Sequence, residues 1–115
     1  TEFIKPIISY SAEWQKITQN IGIKAMKNPD EIGAASVDYL MYAGYITLAY
    51  FWAKMAKVAQ DKLAQSDDDK SFYQAKVKTA QFYFQRILPR AQGHAACLDN
   101  GADSLMSLEV EDFSF

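Results

Sequence analysis

Two side chains with chemically useful groups lie three residues apart near the C-terminal end of the chain. His94 and Cys97 are the single histidine and the single cysteine of the sequence. On a helix this spacing puts both on one face, so a cysteine nucleophile with a histidine base is geometrically possible. No third group or oxyanion site accompanies them. We therefore interpret Cys97 as a small buried thiol and His94 as a partly buried histidine of the core.

Metal and phosphate chemistry are disfavoured by the types and spacing of the available residues. Helical di-metal sites use paired Glu-x-x-His motifs, and Ala91 stands where that glutamate would precede His94. The acidic run Asp67–Asp69 lacks the alternating ligands, glycine and distant glutamate of a calcium loop, so helix capping explains it better. A glycine-rich phosphate loop is also missing. We predict no catalytic, cofactor-binding or metal-ligating residue in this chain.

Composition predicts one packed helical domain spanning residues 1–115. Half of the residues are apolar, and only 5 Gly and 3 Pro interrupt them, which favours helices over a turn-rich β fold. The net charge of −2 offers no basic stripe for nucleic acid. A single cysteine favours a cytoplasmic protein. The uncharged run Tyr39–Ala53 is shorter than the roughly 20 residues of a membrane span.

Three long helices account for most of the apolar periodicity. The first is predicted from Ala12 to Lys27, with Ser11 as its N-cap. The second is predicted from Pro29 to about Gln65, capped by Asn28, with Gly33 as the place where it could bend. Short connections between them predict an all-α, antiparallel up-down bundle.

The third helix begins near Asp69 and carries a heptad seam, which consists of Tyr73, Val77, Ala80, Phe84, Ile87, Ala91, His94 and Leu98. Pro89 interrupts it and predicts a kink between Gln85 and Leu88. Asn100-Gly101 ends it, since both residues tolerate left-handed backbone geometry. A short helix over Ala102–Leu108 and a tail over Glu109–Phe115 complete the predicted fold.

The second helix is apolar on two faces, whereas a bundle helix needs only one. One stripe is Leu40, Gly44, Thr47, Phe51, Met55 and Val58, and the other is Tyr39, Tyr42, Ile46, Ala49, Ala53 and Ala56. Because aromatic residues crowd the second and third helices, we expect some to be exposed and to form an interface. The candidate interface residues are Tyr39, Tyr42, Tyr45, Tyr50, Trp52, Phe82 and Tyr83.

Three segments together are similar to a known family. They are Tyr39–Gly44 continuing to Phe51–Ala56, then Phe72–Lys76 continuing through Thr79–Phe84 to Ile87-Leu88-Pro89, and finally Gly101–Met106. In this order they resemble the C-terminal helical domain of long bacterial acyl-CoA dehydrogenases, a group that includes the methylmercaptopropionyl-CoA dehydrogenases. The resemblance covers about residues 38–108.

The resemblance implies a parent flavoprotein from whose C-terminus this chain is excised, and the lack of an initial Met agrees with it. That parent would bind FAD, oxidise the α,β bond of an acyl-CoA and pass electrons to an electron-transfer flavoprotein. Its FAD pocket and glutamate base would lie upstream, so no cofactor is expected in this chain. Its partners would be the upstream catalytic domains or another subunit. The alternative is a stand-alone helical module that binds a protein or an apolar ligand.

Overall fold

Two short connections reverse the chain direction between three long helical segments. In the computed structural model, which describes residues 2–114, helix α1 spans Ile4–Lys27, α2 spans Asp30–Gln65 and α3 spans Lys70–Phe82. A π turn over Tyr83–Ile87 and a 3-10 turn over Leu88–Arg90 then lead into α4, Ala91–Leu98. The short helix α5, Asp103–Met106, and a 3-10 turn over Val110–Phe113 follow. The described chain is therefore all-α, as predicted.

The first helix is two turns longer than the sequence predicted. Ser11 lies inside α1 rather than at its N-cap. Pro6 occupies the first turn, where its missing N–H has no intrahelical partner to lose. Phe3 anchors this end by packing its buried ring against Phe84, with centroids 5.0 Å apart. The predicted start at Ala12 was wrong because tertiary packing stabilises the extra turns.

The second helix is continuous through Gly33, and its 36 residues make it about 54 Å long. Its N-terminus is capped as predicted, because the Asn28 side-chain oxygen accepts a hydrogen bond from the Asp30 N–H at 3.1 Å. At the other end Asp69 adopts a left-handed backbone, with φ of 55°. The predicted capping by aspartate carboxylates is not seen there. Instead the Ser66 hydroxyl accepts a hydrogen bond from the Asp68 N–H.

The α-helical hydrogen bonding breaks where Pro89 predicted a kink. The Leu88 N–H reaches back to the Tyr83 carbonyl, which closes a π turn, and the 3-10 turn containing Pro89 follows. The predicted seam persists through this break, since each of its eight residues is buried or half-buried. At the end of α4 the chain leaves the helix as expected. However, no described glycine has positive φ, so the helix ends at Asn100-Gly101 without the left-handed geometry that both residues tolerate.

The core lies along one side of α2, which packs against α1 and against α3 and α4. In the contacts between α1 and α2, residue numbers increase along α1 as they decrease along α2: Tyr10 contacts Tyr42, and Trp14 contacts Tyr39. The helices are thus antiparallel. Small buried side chains allow close approach, and they are Ala49, Ala56, Ala59, Ala80, Ala91 and Ala95. The resulting molecule is 68 Å long and 15 Å across its narrowest dimension.

Candidate interaction surface

His94 lies between α4 and α2 and contacts side chains of α2. Its Nδ1 lies 2.8 Å from the Asp38 Oδ1, and its ring is tilted by 32° against the Tyr45 ring, with the two centroids 5.7 Å apart. This contact fixes α4 against α2, and the half-buried position confirms the prediction for His94. Cys97 was predicted to be buried and is exposed instead. It faces solvent because the packed face of α4 is made by Ala91, Ala95 and Leu98.

Within residues 2–114 no three side chains of the His, Cys, Asp or Glu type converge on a point where a metal ion could sit. Seven aromatic residues were predicted to form an interface, and the structure divides them into three groups.

The first group is buried. Tyr42 has no exposed surface, and Tyr83 is nearly as deep. The Tyr42 hydroxyl donates to the Glu13 Oε1 at 2.5 Å and lies 3.3 Å from the Tyr10 carbonyl, while the Tyr83 hydroxyl donates to the Tyr45 carbonyl at 2.6 Å. Both residues join helices inside the chain, so neither offers a surface to a partner.

Burial changes the acidity of these two phenols. It is the main reason that the pKa of Tyr42 lies far above its ordinary value, and the hydrogen bond to Glu13 adds to the shift. Burial also raises the pKa of Tyr83 to about 12, with the Tyr45 hydroxyl as a second cause. Loss of the phenol proton is therefore opposed by the folded structure.

The second group is half-buried, and it comprises Tyr39, Tyr45 and Trp52. The Tyr39 hydroxyl accepts a hydrogen bond from the Trp14 indole at 3.0 Å and lies 2.8 Å from the Thr18 hydroxyl. Tyr39 thus fastens α1 to α2. The third group is exposed and consists of Tyr50 and Phe82. About half of each of these two residues is exposed, 49% of Tyr50 and 55% of Phe82.

The larger exposed apolar surface lies on α2 and is mainly aliphatic. One of the two predicted stripes, from Tyr39 to Ala56, is buried or half-buried throughout, whereas every residue of the stripe from Leu40 to Val58 is exposed. Helix α2 is therefore apolar on two faces but packed on one.

We name the centre of this open face the α2 seam, and its residues are Val37, Met41, Gly44, Leu48, Phe51, Met55 and Val58. They follow one another at alternating steps of four and three residues. Val37 is 70% exposed, Leu48 52% and Val58 56%. Sequence reasoning found four of the seven but omitted Val37, Met41 and Leu48. The heptad spacing was a signal that could have identified them.

Two apolar grooves border the α2 seam. One, of about 320 Å³, lies between α2 and α3 and is lined by Met55, Val58, Phe72 and Tyr73. The other, of about 600 Å³, lies between α1 and α2 and is lined by Ile21, Ile32, Tyr39 and Leu40 among others. The apolar surface thus extends from the seam toward both neighbouring helices. It is larger than the surface that isolated exposed side chains would give.

The sequence matches a known family over most of its length. The family model described as acetyl-CoA dehydrogenase C-terminal like matches residues 1–109. The chain belongs to this family. As a member of the acetyl-CoA dehydrogenase C-terminal-like family it is a C-terminal domain of the acyl-CoA dehydrogenase type, which confirms the resemblance at the level of the domain. No curated protein matches the sequence.

None of the helices within residues 2–114 combines the length and the apolar character needed to cross a membrane. Helix α2 has an open apolar face on one side and polar packing contacts on the other, such as the contact of Asp38 with His94.

Proposed function

We propose that this chain is the non-catalytic C-terminal helical domain of a cytoplasmic, FAD-dependent acyl-CoA dehydrogenase. Family membership over residues 1–109 supports a parent of this class. The parent would oxidise the α,β bond of an acyl-CoA with FAD held by upstream domains, and an electron-transfer flavoprotein would accept the electrons. The domain, residues 1–115, would contribute packing rather than chemistry.

The observation that carries the packing role is the open apolar face of α2. Its side chains are exposed to solvent, although the opposite side of the same helix is packed in the core. Monomeric proteins seldom leave a contiguous apolar surface of this kind uncovered. Covering it against another part of the parent enzyme would remove apolar area from water at roughly 25 cal/mol per Å², before the costs of association.

The test begins with the reading frame upstream of Thr1. The full-length product should bind FAD and reduce an artificial electron acceptor when an acyl-CoA is added. Leu48→Asp in the full-length enzyme should lower its assembly or thermal stability. Ile8→Asp is a matched control, because Ile8 is 64% exposed on α1, away from the seam. An upstream frame without a flavoprotein, or equal behaviour of the two variants, would contradict the proposal.

A second candidate function is a helical module that binds an apolar ligand. The observation in its favour is the groove of about 600 Å³ between α1 and α2, in which Ile21, Ile32 and Leu40 supply apolar walls. An environment-sensitive fluorescent probe should then bind the 115-residue chain with a stoichiometry of one. Leu40→Gln should weaken that binding, while Leu48→Gln on the neighbouring seam should leave it unchanged.

A further inference from the structure

The spacing of the α2 seam defines the geometry of whatever covers it. Steps of four and three residues repeat without interruption from Val37 to Val58, which is the 3.5-residue period of a coiled-coil seam. A stripe with this period stays in contact with a second helix that runs alongside it at a small crossing angle. The exposed part is about 32 Å long at 1.5 Å per residue. The occupant is therefore a helix with an apolar seam of similar length.

The charges at the two ends of the seam indicate the direction of that helix. Continuing the heptad by two steps toward the N-terminus passes the half-buried Ala34 and reaches Asp30, seven residues before Val37. One step toward the C-terminus reaches Lys62, four residues after Val58. The side chains of Asp30 and Lys62 are both exposed. A partner helix with the opposite charge order would place a cation beside Asp30 and an anion beside Lys62.

A second copy of α2 in the antiparallel direction has this charge order. The register that sets Asp30 beside Lys62 of the second copy also sets Val37 beside Met55, Met41 beside Phe51 and Gly44 beside Leu48. Each of these pairs joins a smaller residue to a larger one, and the smallest residue, Gly44, leaves room for a leucine. Because the pairing is two-fold symmetric, every contact occurs twice.

Other self-pairings are less complementary. A parallel pair would bring Asp30 against Asp30 and Lys62 against Lys62, and it would set Gly44 against Gly44, which leaves a gap. An antiparallel pair shifted by one heptad would set Lys62 against Val37 and would bury an ammonium group beside an apolar residue. The first antiparallel register satisfies both the charges and the volumes.

We propose that the α2 seam is a homodimer interface, in which α2 pairs antiparallel with α2 of a second copy of this chain. The inference rests on the proposed function, since it names the partner that gives the domain its packing role. In the parent enzyme it would place two C-terminal domains back to back about a two-fold axis that passes close to Ile46 and Thr47.

Sedimentation velocity of the 115-residue chain over a range of concentrations tests the dimer. We expect the wild-type chain to shift from monomer to dimer as concentration rises. Leu48→Asp should raise the dimer dissociation constant at least about 30-fold, as expected for a central interface residue. The control Ile8→Asp should leave it unchanged. A wild-type chain that remains monomeric throughout would overturn the proposal.

Cross-linking tests the direction of pairing. In a Cys97→Ala background, Thr47→Cys should form a disulfide-linked dimer, because position 47 lies beside the two-fold axis. Val37→Cys should not, because the two copies of position 37 would be about 27 Å apart along the helix axis. In a parallel pair the two copies of position 37 would face each other, so efficient cross-linking of Val37→Cys would overturn the antiparallel arrangement.

A charge exchange tests the register. Lys62→Asp should weaken the dimer, since two carboxylates would then face each other at each end. Adding Asp30→Lys should restore it, because the opposite charges meet again with their positions exchanged. Far-UV circular dichroism checks that both variants keep the helical content of the wild type. A double variant as weak as Lys62→Asp would overturn this register.

These results separate the inference from the proposed function. A monomeric chain whose Leu48→Asp variant still disrupts assembly of the full-length enzyme would mean that the catalytic part covers the seam, which overturns the homodimer but not the packing role. A dimer of the isolated chain without a flavoprotein frame upstream would support the homodimer and would contradict the dehydrogenase parent.

Discussion

The hydroxyl of Tyr42 makes a contact whose contribution to stability can be worked out from the structure. Tyr42 is fully buried, and its hydroxyl donates to the Glu13 carboxylate at 2.5 Å. Replacing it by phenylalanine keeps the ring in the core and removes only the hydroxyl. The change therefore isolates one hydrogen bond between α1 and α2.

Hydrogen bonds to charged groups contribute about 1.5–3 kcal/mol to stability. The value for Tyr42 should lie at the lower end of that range or below it, because Glu13 is only half-buried and water can replace the lost donor. We expect Tyr42→Phe to reduce the free energy of unfolding by about 1–2 kcal/mol. For a domain of this size the melting temperature should fall by about 4–8 °C.

Urea unfolding followed by far-UV circular dichroism, at one fixed chain concentration, measures the change. The midpoint should fall while the denaturant dependence stays constant, which indicates a change in stability alone. Tyr50→Phe is the matched control, because Tyr50 is 49% exposed, and its effect should stay within about 0.5 kcal/mol. Tyr42→Ala should cost much more, about 3–5 kcal/mol, since it also empties the core.

The reasoning is refuted if Tyr42→Phe and Tyr50→Phe have the same stability. A double-mutant cycle gives a stricter result. Glu13→Gln combined with Tyr42→Phe should cost less than the two single changes added together, because both remove the same contact. Strict additivity would show that the hydroxyl and the carboxylate do not interact in solution.

Three further predictions concern glycine positions, alkaline pH and the thiol. Gly101→Ala should cost about 1 kcal/mol in the same urea unfolding assay, because its new Cβ would lie 2.9 Å from the Glu31 Oε1 and displace a carboxylate that accepts the Ala102 N–H. Gly93→Ala, whose new Cβ meets open space in α4, should instead raise the free energy of unfolding by about 0.5–1 kcal/mol. The pKa of Tyr83 is raised to about 12, so the stability that its protonated phenol contributes is complete below the unfolded pKa of about 10 and is lost as pH rises from there toward 12, at up to about 1.4 kcal/mol per pH unit. The free energy of unfolding, measured from pH 8 to 12, should fall less steeply for Tyr83→Phe than for the wild type, and an equal fall would contradict this assignment. Cys97 is exposed, so one thiol per chain should react with an aromatic disulfide reagent in native buffer, and reaction only after denaturation would show that this side of α4 is covered.

Helix number and the buried seams follow directly from local chemistry in the sequence. Asn28-Pro29 and Ser66–Asp69 combine capping with chain reversal, so the boundaries of α2 could be predicted within one residue. The seam through Ala80, Ala91 and Leu98 also follows from periodicity alone. The start of α1 could not be predicted, because its first turns depend on the packing of Phe3 against Phe84, which are distant in sequence.

The candidate surface was only partly predictable, for a related reason. Periodicity reveals that α2 has two apolar faces, but it does not say which face meets α1 and α4. Tyr42 and Tyr83 have the composition of interface residues, yet their hydroxyls find partners inside the chain at Glu13 and at the Tyr45 carbonyl. These two aromatic residues therefore belong to the core, whereas the α2 seam is exposed to solvent.

The break around Pro89 has a consequence for the phase of the helices. A π turn advances the chain by less rotation per residue than an α-helix, and a 3-10 turn advances it by more. Here the two follow each other directly, over Tyr83–Ile87 and Leu88–Arg90. Their deviations from the rotation of an α-helix therefore have opposite signs and largely offset each other. Helix α4 consequently leaves the break facing the same way as α3. A one-residue deletion within the π turn should be absorbed by its return to α-helix, whereas the same deletion in the middle of α2 would rotate half of that helix by about 100°.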